Sequence, residues 1–125
     1  MSDIGILYNV RKKPVEWVGR SLEDLRSFPP EARTEAGHKL FRVQQGKSPG
    51  DLKPLPSVGR GAKEIRIHSW AGGRLEHRVV YVAHFPEAVY VLHAFRKTTR
   101  RTSPQDLETA RSRYREMLNQ RSEGR

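Results

Sequence analysis

Apolar residues recur along this chain in two periods. Near the start Ile4, Ile6 and Tyr8, then Val15 and Trp17, alternate with other residues, which predicts one or two strands, with Pro14 limiting where a ladder can run. From Ser21 the period lengthens. Ser21 followed by Asp24 reads as a capping box, and Leu22, Leu25 and Phe28 give a short helix one apolar face before Pro29-Pro30 stops it. Pro30 also suits the first turn of a second helix, in which Ala32, Ala36, Leu40 and Val43 form a stripe with Phe41 beside it, until Gly46. These two helices are expected to form a hairpin.

Residues 46 to 62 have loop composition, with Gly46, Pro49, Gly50, Pro54, Pro56, Gly59 and Gly61, although Leu52, Leu55 and Val58 suggest that the segment packs down. Three strands are expected next, over 62–68, 74–85 and 88–95, joined by Trp70-Ala71-Gly72-Gly73 and by Pro86-Glu87. Links this short imply antiparallel hairpins. Ser103 as N-cap and Pro104 at the first helical position open a last helix, whose Leu107, Ala110, Tyr114, Met117 and Leu118 share a face; its polar end from Asn119 is expected to fray. The order of elements gives an α+β fold, a small antiparallel sheet packed by an N-terminal helical hairpin and a C-terminal helix.

Composition narrows the class. At 125 residues the chain has room for one core, which excludes a Rossmann dehydrogenase, a TIM barrel or a kinase. Apolar residues are 35% of the total, enough for a modest core. There is no cysteine, so disulfides, thiolate nucleophiles and cysteine-held zinc are excluded. Apolar runs are strand-sized and the first residues lack the charged and apolar regions of a signal peptide, so no membrane partner and a cytoplasmic location are expected. Lys and Arg number 24 against 14 Asp and Glu, a formal charge of +10, and Arg96-Lys97-Thr98-Thr99-Arg100-Arg101 concentrates four cations without an acid. Such a cluster is either a surface for nucleic acid or another polyanion, or a solvated basic turn.

Strand period sorts the candidate chemistry. Ile65 and Ile67 face one way, so Glu64, Arg66 and His68 face the other, which makes Arg66 a phosphate-ligand candidate. Arg78 opens a valine-rich run, where a charge needs water or an anion. Both arginines could instead form cross-strand ion pairs with Glu64 and Glu76. His93 is a candidate proton acceptor beside the basic segment or a hydrogen-bonded core residue, and His68 and Glu64 are its rivals. The histidine spacing fits no helical zinc site, Gly59-Arg60-Gly61 lacks the rest of a nucleotide loop, and no serine nucleophile motif is present. Trp17 reads as core, whereas Trp70 on its glycine-rich turn could stack on a base.

Several motifs also occur in the order found in one family. Lys13-Pro14-Val15-Glu16-Trp17-Val18-Gly19, Phe28-Pro29-Pro30-Glu31-Ala32-Arg33, Lys63-Glu64-Ile65-Arg66-Ile67, Arg78-Val79-Val80-Tyr81 and Tyr90-Val91-Leu92-His93-Ala94-Phe95-Arg96-Lys97-Thr98 resemble the RelE/ParE toxin superfamily, in particular its HigB-like, phage-derived branch. The resemblance covers about residues 12 to 118 of a single domain spanning 1–125, with a polar tail from 119. It implies the toxin of a toxin–antitoxin pair, a ribosome-dependent mRNA endoribonuclease that uses neither metal nor cofactor, with mRNA on the ribosome and a helix-turn-helix antitoxin as partners. Carried over by position, Arg66, Arg78 and Lys97 would hold the scissile phosphate, His93 would be the base, and Lys63, Arg96, Arg100 and Arg101 would bind RNA backbone. Relatives that supply a tyrosine before the last helix differ here, where the chain reads Thr102-Ser103-Pro104. Two other functions stay open: a ParE-like inhibitor of DNA gyrase, and a non-catalytic phage-derived nucleic-acid-binding protein.

Overall fold

A computed structural model describes residues 12–69 and 75–124. In chain order the elements are β1 (Val15–Trp17), α1 (Ser21–Arg26), α2 (Pro30–Gln44), β2 (Leu52–Pro54), β3 (Ala62–Ser69), β4 (Leu75–Val82), β5 (Val89–Lys97) and α3 (Pro104–Glu123). Five strands form one sheet in the order β1-β5-β4-β3-β2. The expected α+β architecture is present, with antiparallel pairing from β2 through β5. Strand β1 pairs parallel to β5, Val15 opposite Val89 and Trp17 opposite Val91, because the chain passes through both helices and three strands before β5 returns alongside it.

Each face of the sheet has its own core. On one, Ile65, Ile67, Val79, Tyr81, Val89 and Val91 meet Leu25 and Phe28 of the first helical segment and the stripe Ala32, Ala36, Leu40 and Val43 of α2, with Trp17 at its border. On the other, Val80, Val82, Tyr90 and Leu92 meet Ala110 and Met117 of α3 and the loop residues Leu55 and Val58. This two-sided burial explains why β4 and β5 read as nearly continuous apolar runs rather than alternating ones. Between Val80 and Tyr81 the ladder shifts, their partners being His93 and Val91, and both Leu92 and His93 reach the α3 side.

Local signals account for most element ends. Ser103 caps α3, its Oγ accepting from the Asp106 N–H at 3.1 Å, with Pro104 behind it, and Gly46 turns the chain after α2 at φ +80°. Ser21 behaves differently from the expected cap. It lies inside α1, fully buried, and its hydroxyl donates to the Val91 carbonyl at 2.9 Å, tying the helix to β5 instead of to its own first turn. Strand β2 falls in the segment read as loop, and α3 continues to Glu123 instead of fraying at Asn119. Phe41, expected beside the α2 stripe, and Leu118, expected on the apolar face of α3, are both exposed. The expected strand at Ile4–Tyr8 and the Trp70 turn lie outside the described residues.

Candidate functional site

Cross-strand register arranges the α3-side face of the sheet in rows. Lys53, Glu64, Val80 and His93 form one row across β2, β3, β4 and β5; Arg66, Arg78 and Phe95 form the next; His68, Glu76 and Lys97 form the outermost. Helix α3 starts over the first row, where Asp106 meets His93. The two outer rows are left as a polar end of the sheet, with the Arg66, His68 and Glu76 side chains about one-third exposed. Arg66, Arg78 and Lys97 are thus brought to one face from three adjacent strands. Strand period does this: the isoleucines that bury on the α2 side dictate which way the charges point.

Arg78 is held from several directions. It is 3% exposed; its Nη2 donates to Glu76 Oε1 at 2.6 Å, its Nη1 to the His77 carbonyl at 3.2 Å, and its Nε lies 3.4 Å from Glu64 Oε1. Glu64 is fully buried. It also accepts from Thr102 Oγ1 at 3.0 Å and has Lys53 Nζ at 3.8 Å. A buried carboxylate among two cations and a hydroxyl is a preorganised frame, since removing Arg78 leaves a buried charge with only part of its compensation. Lys97 stands next to it. Burial lowers its ammonium pKa from the ordinary lysine value, the nearby Arg78 and Lys53 charges lower it further, and Glu64 and Glu76 offset part of the effect.

Beside Arg78, Arg66 Nη1 sits 3.3 Å from Asp51 Oδ1, and His68 Nε2 lies 3.2 Å from the other oxygen of the same carboxylate. Slight burial pushes Asp51 up, but the His68 hydrogen bond and the charges of Arg66, His68 and Lys39 hold it below the ordinary carboxylate value. The ion-pair reading therefore holds for Arg78, which is enclosed between Glu64 and Glu76, whereas Arg66 pairs with Asp51 instead and stays accessible.

The remaining expected residues divide. His93 is 7% exposed, with Nε2 2.8 Å from Asp106 Oδ1, Nδ1 3.7 Å from Asp24 Oδ2, and its ring stacked on Phe95. Its two nitrogens face carboxylates of α3 and α1, so it joins both helices to the sheet. Arg113 completes that junction by donating to Asp24 at 2.9 Å and to the Leu92 carbonyl at 3.0 Å. Lys63 and Arg96 alternate away from Arg66 and Lys97 and belong to the opposite face, where Lys63 pairs with Tyr81 and Arg96 with His77. Arg100 and Arg101 are exposed on the turn leading to α3. Sequence reasoning missed Lys53, Asp51 and Thr102. The only available signal for the first two was the short alternation Asp51-Leu52-Lys53, obscured by the surrounding prolines and glycines.

The described residues contain no group of His, Cys, Asp and Glu able to hold a metal ion, and no described helix is long and apolar enough to cross a membrane. Fold and site together define an α+β domain of RelE-like architecture whose α3-side sheet face interleaves cations with carboxylates. Residues 23–115 match the family described as phage derived protein Gp49-like (DUF891), a stretch running from α1 into α3 and including β2 to β5. The chain belongs to this phage-derived Gp49-like family. No curated protein matches it.

Proposed function

We propose that this protein is the toxin of a toxin–antitoxin pair and an endoribonuclease that cuts mRNA on the ribosome. The reading rests on one observation above all: three cations from adjacent strands, Arg66, Arg78 and Lys97, share one sheet face with a carboxylate-held imidazole, Arg66 accessible and Arg78 enclosed beside it. Membership of the phage-derived family and the resemblance to HigB-like toxins support it.

In this mechanism His68, oriented by Asp51, takes the proton from a ribose 2′-hydroxyl, whose oxygen attacks the adjacent phosphorus in line. Arg66 stabilises the added negative charge directly, its fork suiting two phosphate oxygens, and Arg78 adds a fixed positive field from beneath. Lys97, with its lowered pKa, gives a proton to the departing 5′-oxygen as the phosphorus–oxygen bond breaks. The products are a 2′,3′-cyclic phosphate and a 5′-hydroxyl. His93 is left out of the proton transfers because both of its nitrogens face carboxylates. An acidic, helix-turn-helix antitoxin would silence the enzyme by covering this cationic end.

The test is cleavage of message on programmed ribosomes, with 5′ ends mapped, for wild type and Arg66→Gln. Wild type is expected to cut ribosome-bound message only, and the variant, whose half-exposed side chain is not part of the core, to lose at least about 10²-fold in rate at unchanged thermal stability. Intact message with wild type would refute the reading and favour a binding-only protein or a gyrase inhibitor. The binding-only alternative has a specific basis, since Arg66 and Arg78 are each already engaged by carboxylates.

A further inference from the structure

The sheet carries a second basic feature on its other face. Between the end of α2, strand β2 and the start of β3 lies a recess of about 420 Å³, lined by Lys13, Lys47, Lys63, Leu52, Tyr81 and His84 among others, and none of its described lining residues is an Asp or Glu. Like charges gathered without a counter-charge repel one another, and an anion entering the recess relieves that repulsion.

Several of these groups are fixed in place. Lys13 exchanges backbone and side-chain hydrogen bonds with Gln44, its N–H donating to the Gln44 carbonyl at 2.9 Å and its carbonyl accepting from Gln44 Nε2 at 2.8 Å. Its ammonium donates to the Ala83 carbonyl and, at 2.8 Å, to the Phe85 carbonyl, which uses two of its three N–H bonds. Tyr81 is the cross-strand partner of Lys63. Burial pushes its phenol up to about 12, so it remains a hydrogen-bond donor throughout the physiological range. His84 is seated over Gly61, where a methyl group would come 2.1 Å from its Nδ1, so the wall of the recess depends on a residue without a side chain at that position.

We infer that this recess is a second phosphate-binding site, taking a backbone phosphate of RNA between Lys13, Lys47 and Lys63, with Tyr81 and His84 beneath. The match is chemical: a compact tetrahedral anion with several acceptor oxygens is served by converging point-charge donors and a neutral hydroxyl. A site on this face is separate from the arginine end, since Lys63 and Glu64 are neighbours pointing to opposite sides of β3. The choice of RNA as the phosphate carrier rests on the proposed function; the anion site itself does not.

The experiment measures binding of a short 2′-O-methylated RNA, which cannot be cut, by fluorescence anisotropy across a range of KCl concentrations. Wild type is compared with Lys47→Gln/Lys63→Gln, whose side chains are exposed, and thermal melts verify the fold. The variant is expected to bind about 5- to 10-fold more weakly near 0.1 M salt, with the slope of log K against log salt reduced by about 0.7 to 1.4 for one to two lost contacts. Inorganic phosphate and the RNA should each move the His84 and Tyr81 ring resonances in wild type. Unchanged affinity and slope in the variant would overturn the inference. Movement of those resonances by an oligoglutamate peptide but not by RNA or phosphate would also overturn it, assigning the recess to an acidic protein segment. The two proposals fail separately: wild type that cuts message while the lysine variant binds RNA normally refutes only this one, and weakened RNA binding without any message cleavage refutes only the nuclease.

Discussion

Replacing Arg78 by methionine tests the frame beneath the proposed active site. The substitution keeps much of the side chain's apolar volume but leaves Glu64, which is fully buried, without its nearest cation. At 3.4 Å and an effective dielectric of about 20, the lost attraction is about 5 kcal/mol. Lys53 at 3.8 Å and the Thr102 hydroxyl at 3.0 Å continue to stabilise the carboxylate, which places the expected net loss at about 3 kcal/mol, the lower end for breaking a buried pair. With a urea m value of about 1.5 kcal/mol/M, the unfolding midpoint should fall by roughly 2 M. Adding Glu64→Gln removes the stranded charge while preserving an acceptor for Thr102, and should restore at least about half of the loss. Equilibrium urea unfolding of the single and double variants measures both quantities. A single variant within about 0.5 M of wild type, or a double variant no more stable than the single, would refute the account of Glu64 and Arg78 as a mutually dependent pair. The same reasoning makes Arg66 the cleaner probe of catalysis, because an Arg78 variant can lose activity through its fold.

Two further predictions concern residues outside the site. His77 is buried against Phe28, and burial, then the charges of Arg96 and Arg78, lowers its pKa below 6.5, so its contribution to stability is complete above pH 6.5 and is lost as pH falls toward the folded value, where only the unfolded chain is readily protonated. Urea midpoints at pH 7.5 and 5.5 should therefore fall less in His77→Leu than in wild type, and equal falls would disprove the assignment. Gly46 and Gly61 have nearly the same φ, +80° and +81°, but an added Cβ meets nothing within 4 Å at Gly46 and the His84 ring at Gly61. Gly46→Ala should cost about 1 kcal/mol, or roughly 4 °C in Tm, and Gly61→Ala distinctly more, with His84→Ala removing the excess; equal losses in the two glycine variants would exclude the steric explanation.

Much of this molecule could be read along one dimension. The stripe Ala32, Ala36, Leu40 and Val43, the Ser103-Pro104 start of α3 and the alternation of Ile65 and Ile67 with Glu64 and Arg66 each reflect interactions within a turn or a strand, so neighbouring residues suffice to reveal them. The facing of Arg66, opposite to Lys63, follows from the same period of two. Strand β2 was not legible, because three residues among prolines and glycines become a strand only when β3 supplies the hydrogen-bonding partners. Ser21 shows the limit of a local motif: its spacing to Asp24 fits a capping box, but the Val91 carbonyl, 70 positions away, takes its hydroxyl.

What the sequence by itself determined was therefore most of the elements, the facing of Arg66 and the family resemblance, all carried by period, punctuation and residue type. Tertiary structure alone decided which charges are enclosed and which are accessible. Arg66 and Arg78 look alike in sequence and are direct cross-strand partners, yet one lies near the exposed Asp51 while the other is locked between Glu64 and Glu76. It likewise placed His93 between Asp24 and Asp106, and gathered Lys13, Lys47 and Lys63 into one recess from three distant segments. The physical reason is common to all three: the field and the solvent around a charge depend on every group within a few ångströms, and chain folding chooses those groups from positions that sequence distance does not relate.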